Sequence, residues 1–186
     1  MARICRVEAV IAFSAIISRH EEAIQWACER LALLWGPLPV VSPPMPFEAS
    51  EYYANEMGSG LRKIMVAAER PRDPSELADW KVATNALEAD YAALSPAAEP
   101  RPLNLDPGYI SQSKLVLATV KDRDHRLYLR EGIFAEVTLR YLRSGWTENP
   151  WTYPDYRTDP VKTFANQNRL RLREFLKAED GWRRRG

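Results

Sequence analysis

Residues 4–37 read ICRVEAVIAFSAIISRHEEAIQWACERLALLWGP, an apolar run followed by a helical pattern. The run from Ile4 to Ala15 is nearly all apolar, which is typical of a central strand buried on both faces. Ser18, with Glu21 three residues later, matches a capping box and predicts that a helix begins there. The Gly-Pro pair at 36–37 predicts its end.

Two more helices are predicted to begin at Asp-Pro pairs, at 73–74 and 159–160, because Pro suits the first helical position. The predicted strands between helices are Leu38 to Val41, Leu61 to Ala68, Lys114 to Val120, Arg126 to Leu129 and Ile133 to Leu142. Residues 130–132 between the last two are predicted to form a tight turn. We expect residues 104–109 to be a turn, since Pro fixes φ and Gly accepts positive φ.

This order of elements predicts an α+β fold. We expect a ferredoxin-like βαββαβ-type core with an added antiparallel meander and a C-terminal helix, the helices covering one face of the sheet. A length of 186 residues fits one domain. We therefore predict a single α+β domain over 1–178 and a frayed basic tail over 179–186.

Charge and motif content exclude several classes of protein. Lys plus Arg total 26 against 25 for Asp plus Glu, so no strong overall field would attract nucleic acid or anionic lipid. The phosphate loop, the Gly-x-Gly-x-x-Gly fingerprint and the Gly-x-Ser-x-Gly elbow are absent. Two cysteines and two histidines disfavour a closed zinc site.

The N-terminal region has two interpretations. One is a signal peptide, because basic residues (Arg3 and Arg6) precede the apolar run Ala9 to Ile17. The other is a buried strand, which Glu8 and the β-branched residues of the run favour. We favour the strand, which makes a cytoplasmic location the expectation. No apolar run of about 18 residues is present, so we expect no membrane partner.

Two long connections, 42–60 and 143–159, are rich in aromatic residues and proline. Connections longer than about 12 residues are usually functional or disordered. Because buried rings offset the entropy cost of ordering a loop, we expect both connections to be ordered flaps that lie on the core.

The candidate site consists of ionisable side chains from the middle of the chain. We expect Asp106, His125 and Glu136 to be catalytic, His125 being a general base oriented by Asp122 or Asp124. The residues expected to bind a ligand are Lys114, Lys121, Asp122, Arg126, Tyr153, Asp155 and Arg157.

Alternation along the strand Ile133 to Leu142 places Glu136, Thr138 and Arg140 on one face. If the flaps cover that face, a pocket containing Glu136 and Arg140 results. Otherwise the face is half-solvated, and residues 121–126 are a solvated hairpin tip.

Two kinds of ligand remain open. Four groups could converge on a divalent cation such as Mg²⁺: Asp106, Asp122, Glu136 and His125. Four cations could instead hold a phosphate or carboxylate: Lys114, Lys121, Arg126 and Arg157. A basic third helix could also bind RNA, although the balanced net charge disfavours nucleic acid.

Several motifs together resemble an uncharacterised prokaryotic family, a domain of unknown function. They are NLDPGY at 104–109, SKLVLAT-x-KD-x-x-HR-x-YL at 113–129 and PWTYPDYR at 150–157. The resemblance covers most of the chain, departing at Ala49-Ser50, and implies that the polar residues of these motifs share one site. Some members are labelled GTP-binding, but the phosphate loop and the Asn-Lys-x-Asp motif are both missing here.

We therefore expect a protein that binds or acts on a small anionic ligand, which phosphate would suit, in a polar pocket under aromatic loops. The alternative is a non-enzymatic module that binds protein or RNA. Neither a cofactor nor a reaction is indicated by the residues.

Overall fold

An antiparallel sheet forms the centre of this computed structural model, which describes residues 7–48, 55–143 and 145–178. The strands are β1 (Ile11–Ser18), β2 (Val40–Val41), β3 (Met45–Pro46), β4 (Arg62–Ala67), β5 (Asn104–Ile110), β6 (Lys114–Thr119), β7 (Leu127–Arg130), β8 (Ile133–Leu142) and β9 (Gly145–Glu148). The long helices are α1 (Glu21–Trp35), α2 (Leu77–Leu94) and α3 (Asp159–Ala178). The predicted α+β class and the C-terminal helix are confirmed.

The strand order in the sheet is β2-β4-β1-β5-β6-β8-β7. In addition, β3 pairs with β4 and β9 pairs with β8. Every pair is antiparallel. Strands β7 and β8 are joined through Glu131 and Gly132, whose φ angles of 54° and 74° suit the primed turn of a two-residue hairpin, so the tight turn is confirmed.

Helices cover both faces of the sheet, so the prediction of one covered face is wrong. The first face, the α1/α2 face, buries Ala12 and Ile16 of β1 against α1 and α2. The second, the α3 face, buries Phe13 and Ala15 of β1 against α3. Because β1 is apolar on both faces, each face needs its own cover from solvent.

Two predicted boundaries near the N terminus are wrong. Strand β1 begins at Ile11 and continues to Ser18, while residues 1–6 lie outside the described ranges. Helix α1 begins at Glu21, because the hydroxyl of Ser18 is used within the strand end instead of as a cap. Its Oγ accepts from the backbone N–H of His20 at 3.0 Å and donates to the carbonyl of Pro102 at 2.7 Å.

Other boundaries agree with the sequence patterns. Gly36, with φ of 80°, ends α1. Asp73 caps the 3-10 turn that leads into α2, since its Oδ1 accepts from the N–H of Ser75 at 2.8 Å. Helix α3 begins at Asp159 as predicted. The predicted tail, 179–186, lies outside the described residues.

Residues 104–109 are not a turn but most of strand β5, which pairs with β1 from Asn104 to Ile110. The glycine of this motif is needed for close packing. A Cβ at Gly108 would lie 2.3 Å from the carbonyl oxygen of Val116 and 2.7 Å from the ring of Phe13. Turn-forming residues therefore sit within a strand because the neighbouring strands leave no room for a side chain.

Strand β8 changes face halfway along. Pairing with β6 shifts register between Leu115↔Leu139 and Val116↔Val137, which leaves Thr138 as an extra residue. As a result Leu139 packs on the α3 face, whereas Val137 packs on the α1/α2 face. The strict alternation predicted for this strand fails beyond Val137, because a bulge moves the later side chains to the opposite face.

The second long connection lies on the α3 face, as expected of an ordered flap. We call residues 145–158 the aromatic flap. It contains β9 and a 3-10 turn at Pro154–Arg157, and it buries Trp146 and Tyr156 against the core. In the first connection Met45 and Met57 are buried, while residues 49–54 are outside the described ranges. Among the described helices, none has the length and apolar character to cross a membrane.

Candidate functional site

The sheet forks between β5 and β6. These strands pair only at Gly108↔Leu117, Tyr109↔Val116 and Ile110↔Leu115. The N–H of Ser111 donates to the carbonyl of Lys114 at 2.9 Å. In an antiparallel pair every second residue directs its backbone N–H and carbonyl toward the partner strand, so residues 109 and 107 also face β6. Pro107 has no N–H to donate, so the ladder ends there and the strands separate.

A cavity of about 270 Å³ occupies the fork. Its apolar lining includes Ile17, Phe47, Leu117, Ala118, Val120 and Tyr156. Its polar lining comprises Lys81, Arg101, Asn104, Asp106, Thr119, Lys121, Arg126, Glu136, Tyr153 and Asp155. We call this space the fork cavity. Mostly apolar walls with convergent polar groups are typical of sites for small molecules.

Helix α2 replaces the missing strand partner on the β5 side of the fork. Lys81 Nζ donates to the carbonyl of Leu105 at 2.8 Å, and Glu88 Oε1 accepts from the N–H of Leu105 at 2.8 Å. Burial is the largest influence on Glu88 and raises its pKa, against the attraction of Lys81 and Arg101. These side chains satisfy both backbone groups of Leu105, which β6 leaves unpaired.

The β5 wall of the fork cavity is a connected polar network. Arg101 donates to Glu88 Oε2 from Nη2 at 2.9 Å and also contacts Asn104 Oδ1. Asn104 Nδ2 in turn donates to Asp106 Oδ2 at 2.8 Å. Lys81 Nζ lies 3.5 Å from Asp106 Oδ1. The contacts from Asn104 and Lys81 restrict the orientation of Asp106, a candidate catalytic residue.

On the opposite wall, Glu136 is 2% exposed and is held by several donors. Its Oε2 accepts from Arg126 Nε at 2.8 Å and lies 3.1 Å from His125 Nε2. Thr138 Oγ1 contacts the other oxygen at 3.3 Å. Arg126 Nη2 also donates to the hydroxyl of Tyr153 at 3.1 Å, which ties the aromatic flap to the hairpin. The carboxylate of Glu136 is therefore fixed in place.

His125 contacts Glu136 from outside the fork cavity. Its ring stacks on Trp151 with centroids 4.9 Å apart and planes inclined by 13°. Its Nδ1 lies 3.0 Å from Asp124 Oδ1, so Asp124 orients the ring. This histidine is not part of the cavity lining, and a direct role as general base toward a bound ligand loses its geometric support.

A buried lysine holds the aromatic flap, which covers the site. Lys63 is 1% exposed, and its Nζ donates to Asp155 Oδ2 at 2.7 Å and lies 3.3 Å from the ring centroid of Tyr156. Burial is the largest influence on Lys63 and lowers its pKa, partly offset by attraction to Asp155 and Asp106. Lys63 thus pins the 3-10 turn of the aromatic flap to β4.

The fork cavity brings together six of the candidate residues: Asp106, Lys121, Arg126, Glu136, Tyr153 and Asp155. The rest lie elsewhere. Lys114 is exposed at the far end of β6, where it pairs with Arg140. Asp122 lies with Arg123 and Asp124 in a separate open depression. Arg157 donates to the carbonyls of Thr152 and Pro150 and thereby shapes the aromatic flap.

Four cavity or supporting residues were missed by the sequence patterns: Lys63, Lys81, Glu88 and Arg101. For two of them, the sequence contained a pattern that could have identified them. Lys63 interrupts the apolar strand Arg62–Ala67, and Lys81 lies next to Trp80 on the buried side of α2. A charged residue at a core position is rarely tolerated without a partner, which identifies it as part of a polar network.

The side chains that we expected to converge on a divalent cation do not form one group. Within the described ranges, no three His, Cys, Asp or Glu side chains are grouped as metal ligands would be. The proposed set is divided between the fork cavity, which contains Asp106 and Glu136, and the exposed hairpin, which contains Asp122. Asp122 is exposed and does not line the fork cavity.

The cations of α3 are largely engaged within the protein. Arg169 Nε donates to the carbonyl of Gln112 at 2.7 Å, and its guanidinium lies 3.5 Å from the ring centroid of Tyr141. Arg171 donates to the carbonyls of Ala68 and Glu69. These contacts dock α3 on the sheet and reduce the support for an RNA-binding face.

Fold and cavity together define an α+β protein with a small polar site at a fork in its sheet. The chain belongs to a family described as Domain of unknown function (DUF4416), whose model matches residues 8–171. No curated protein and no solved structure matches the chain significantly. The family assignment confirms the resemblance seen in the motifs and supplies no activity.

Proposed function

We propose that this protein binds a small anionic ligand in the fork cavity. The observation that carries the proposal is that Lys81, Arg101, Lys121 and Arg126 line one cavity that is partly open to solvent. Inside a space partly shielded from water, charge-assisted hydrogen bonds from such groups hold phosphate or carboxylate more strongly than they would at an open surface. The aromatic flap provides the shielding.

If the protein also acts on its ligand, Asp106 and Glu136 are the acid–base groups that we propose to contact it. His125 is then a positioning residue, because it reaches the fork cavity only through Glu136. Tyr153 and Asp155 would contact the ligand from the aromatic flap. We propose no divalent cation for this role, since Asp122 and His125 lie outside the cavity lining.

Two exposed lysines at opposite ends of β6 test the proposal. Lys121 follows the end of β6 and lines the fork cavity, whereas Lys114 is the first residue of the strand and does not line the cavity. We expect Lys121→Ala to weaken the binding of inorganic phosphate or pyrophosphate by about tenfold, which corresponds to about 1.4 kcal/mol. Isothermal calorimetry at low salt would measure this, with Lys114→Ala as the control that retains the parent affinity.

Two results would reject anion binding in the fork cavity. One is that neither phosphate, pyrophosphate nor citrate binds the parent protein at millimolar concentration. The other is that both lysine variants lose affinity equally, because that pattern indicates diffuse surface attraction.

We also infer a ferredoxin-like core for the first half of the fold. The order β2-β4-β1-β5, with α1 and α2 as the crossovers on one face, supports this inference. A cytoplasmic location remains a proposal based on the sequence.

Protein interaction is a second candidate function, favoured by the edge strand β7. Leu127 is 72% exposed and Tyr128 is 62% exposed, and the strand ends the sheet. An apolar edge strand is a template for pairing with another chain, here a second copy of this one. Light scattering at high protein concentration tests this. We expect a dimer that Leu127→Lys converts to a monomer, and a parent protein that is itself monomeric would reject the interaction.

A further inference from the structure

We propose that the anionic ligand of the fork cavity carries hydroxyl groups that face Asp106 and Asp155, as in a sugar phosphate or a sugar acid. The inference rests on the proposed function, since it specifies the ligand of that same cavity. It follows from which polar atoms of the lining already have partners.

The two aspartates retain hydrogen-bonding capacity toward the cavity. Asp155 Oδ2 accepts from Lys63, and within the described ranges no donor contacts its Oδ1. Asp106 Oδ2 accepts from Asn104. Among the described residues its Oδ1 has only Lys81 nearby, at 3.5 Å, which is long for a hydrogen bond. An ionised carboxyl group offers about four acceptor positions, so several here await a donor.

The cations of the lining differ, because much of their donor capacity is already used. Arg126 donates from Nε to Glu136, from Nη1 to the carbonyl of Lys121, and from Nη2 to Tyr153. Arg101 donates to Glu88 through both Nε and Nη2. A bare anion can still bind to the remaining donors, but only weakly, because few donors are left and the aspartates repel it. A ligand that has an anionic group and also hydroxyl donors can bind both the cations and the aspartates of the lining.

Neutral hydroxyls fit these aspartates better than an ammonium group does. Lys63 bonds to Asp155, and Lys81 lies beside Asp106, so each carboxylate already has a cation next to it. A ligand ammonium would bring a like charge close to both lysines. A hydroxyl donates to the free oxygen atoms without that repulsion, and neighbouring hydroxyls suit the two oxygens of one carboxylate.

The size of the cavity restricts the ligand to a small one. Its volume of about 270 Å³ is slightly below the range of about 300–1,000 Å³ that is usual for ligand pockets. Sugar phosphates and sugar acids of three to five carbons are the class we infer. The anionic end would face Lys121 and Arg126, and the hydroxyls would face the aspartates.

Calorimetry on the intact chain measures how much the anionic part and the hydroxylated part of such a ligand each contribute to its affinity. The probes are ribose 5-phosphate and ribonate as complete ligands, with inorganic phosphate and ribose as the separate halves. We expect ribose 5-phosphate or ribonate to bind at least tenfold more tightly than inorganic phosphate. The tighter of the two tells whether the anion is a phosphate or a carboxylate.

Asp106→Asn tests the role of the carboxylate, since it keeps the shape of the side chain and replaces an acceptor with a donor. We expect it to lower the preference for the hydroxylated anion by about tenfold, because the hydroxyls lose an acceptor while phosphate, no longer repelled by this carboxylate, binds more tightly. Asp122→Asn, at an exposed carboxylate outside the fork cavity, is the matched control that keeps the preference. Thermal melting verifies that each variant is folded.

Failure of this inference differs from failure of the proposed function. If phosphate binds and the hydroxylated anions bind no more tightly, the hydroxyl inference is overturned while anion binding stands. The same holds if Asp106→Asn retains the full preference. If no anion binds at all, both are overturned. The preference of the parent protein decides the question even if the variant does not fold.

Discussion

At the scale of single residues, Gly108 and Pro107 determine where the fork cavity opens. Gly108 allows β5 to approach Phe13 and Val116 more closely than any side chain permits. Pro107, one position earlier, removes the N–H that would continue the ladder with β6. Adjacent residues therefore have opposite effects, since one tightens the sheet and the other ends a strand pairing.

We predict that Gly108→Ala destabilises the protein by about 2–3 kcal/mol, because overpacking in a closed core costs about this much. The new Cβ would lie 2.3 Å from a backbone oxygen, which cannot turn aside as a side chain can. Urea denaturation followed by circular dichroism measures the loss. An unchanged midpoint would show that β1, β5 and β6 are not packed as described.

At the scale of elements, one buried ion pair holds the aromatic flap to the sheet. Lys63 of β4 is bonded to Asp155 in the 3-10 turn of the flap, with side chains 1% and 24% exposed. A lysine without its counter-ion at that depth is costly. The flap, and with it the roof of the fork cavity, therefore depends on this pairing.

We predict that Asp155→Ala lowers the free energy of unfolding by about 3 kcal/mol, because it leaves a buried charge uncompensated. The double variant Lys63→Met with Asp155→Ala should recover most of that loss, since an apolar pair can replace a buried ion pair. Chemical denaturation measures both. The surface pair Lys162–Glu148 is the control, and its removal should cost less than about 1 kcal/mol.

The pH dependence of stability provides a second measurement on the same pair. Burial lowers the pKa of Lys63 from its ordinary value of 10.5. Between the folded pKa and 10.5 the unfolded chain binds more protons than the folded one, so stability rises with pH in that window. Relative to the double variant, the parent should gain stability as pH rises toward 10.5. A flat difference would mean that Lys63 keeps its ordinary pKa.

At the scale of the whole molecule, one sheet separates two cores. Trp35 and Trp80 pack edge to face on the α1/α2 face, with ring centroids 6.0 Å apart. Leu172 of α3 is fully buried on the α3 face. Because the same strands form the wall of both cores, the loss of one core removes a surface that the other needs.

We predict that Leu172→Ala costs about 3 kcal/mol through the cavity that it leaves in the core. The transition should remain a single one. Tryptophan fluorescence, which includes the Trp35–Trp80 pair, and far-ultraviolet circular dichroism should give the same lowered midpoint. Two separate midpoints would show that the faces unfold independently.

The local elements were largely predictable, because capping residues and apolar periodicity act within a few positions of the chain. The bounds of β8, the end of α1 and the start of α3 follow from such patterns. Asn104 to Tyr109 was misassigned because its Pro and Gly have turn-like preferences, while the actual constraint comes from strands β1 and β6.

The sequence also identified most of the polar residues that share the fork cavity, through their types and motifs. It did not identify Lys63 or Lys81, whose roles depend on partners such as Asp155, 92 positions away in the chain. It also placed His125 inside a site that it only touches through Glu136. Composition and local pattern report the chemistry that a chain carries. Which charges face each other depends on strand pairing between distant segments, and that is set by the packing of the complete fold.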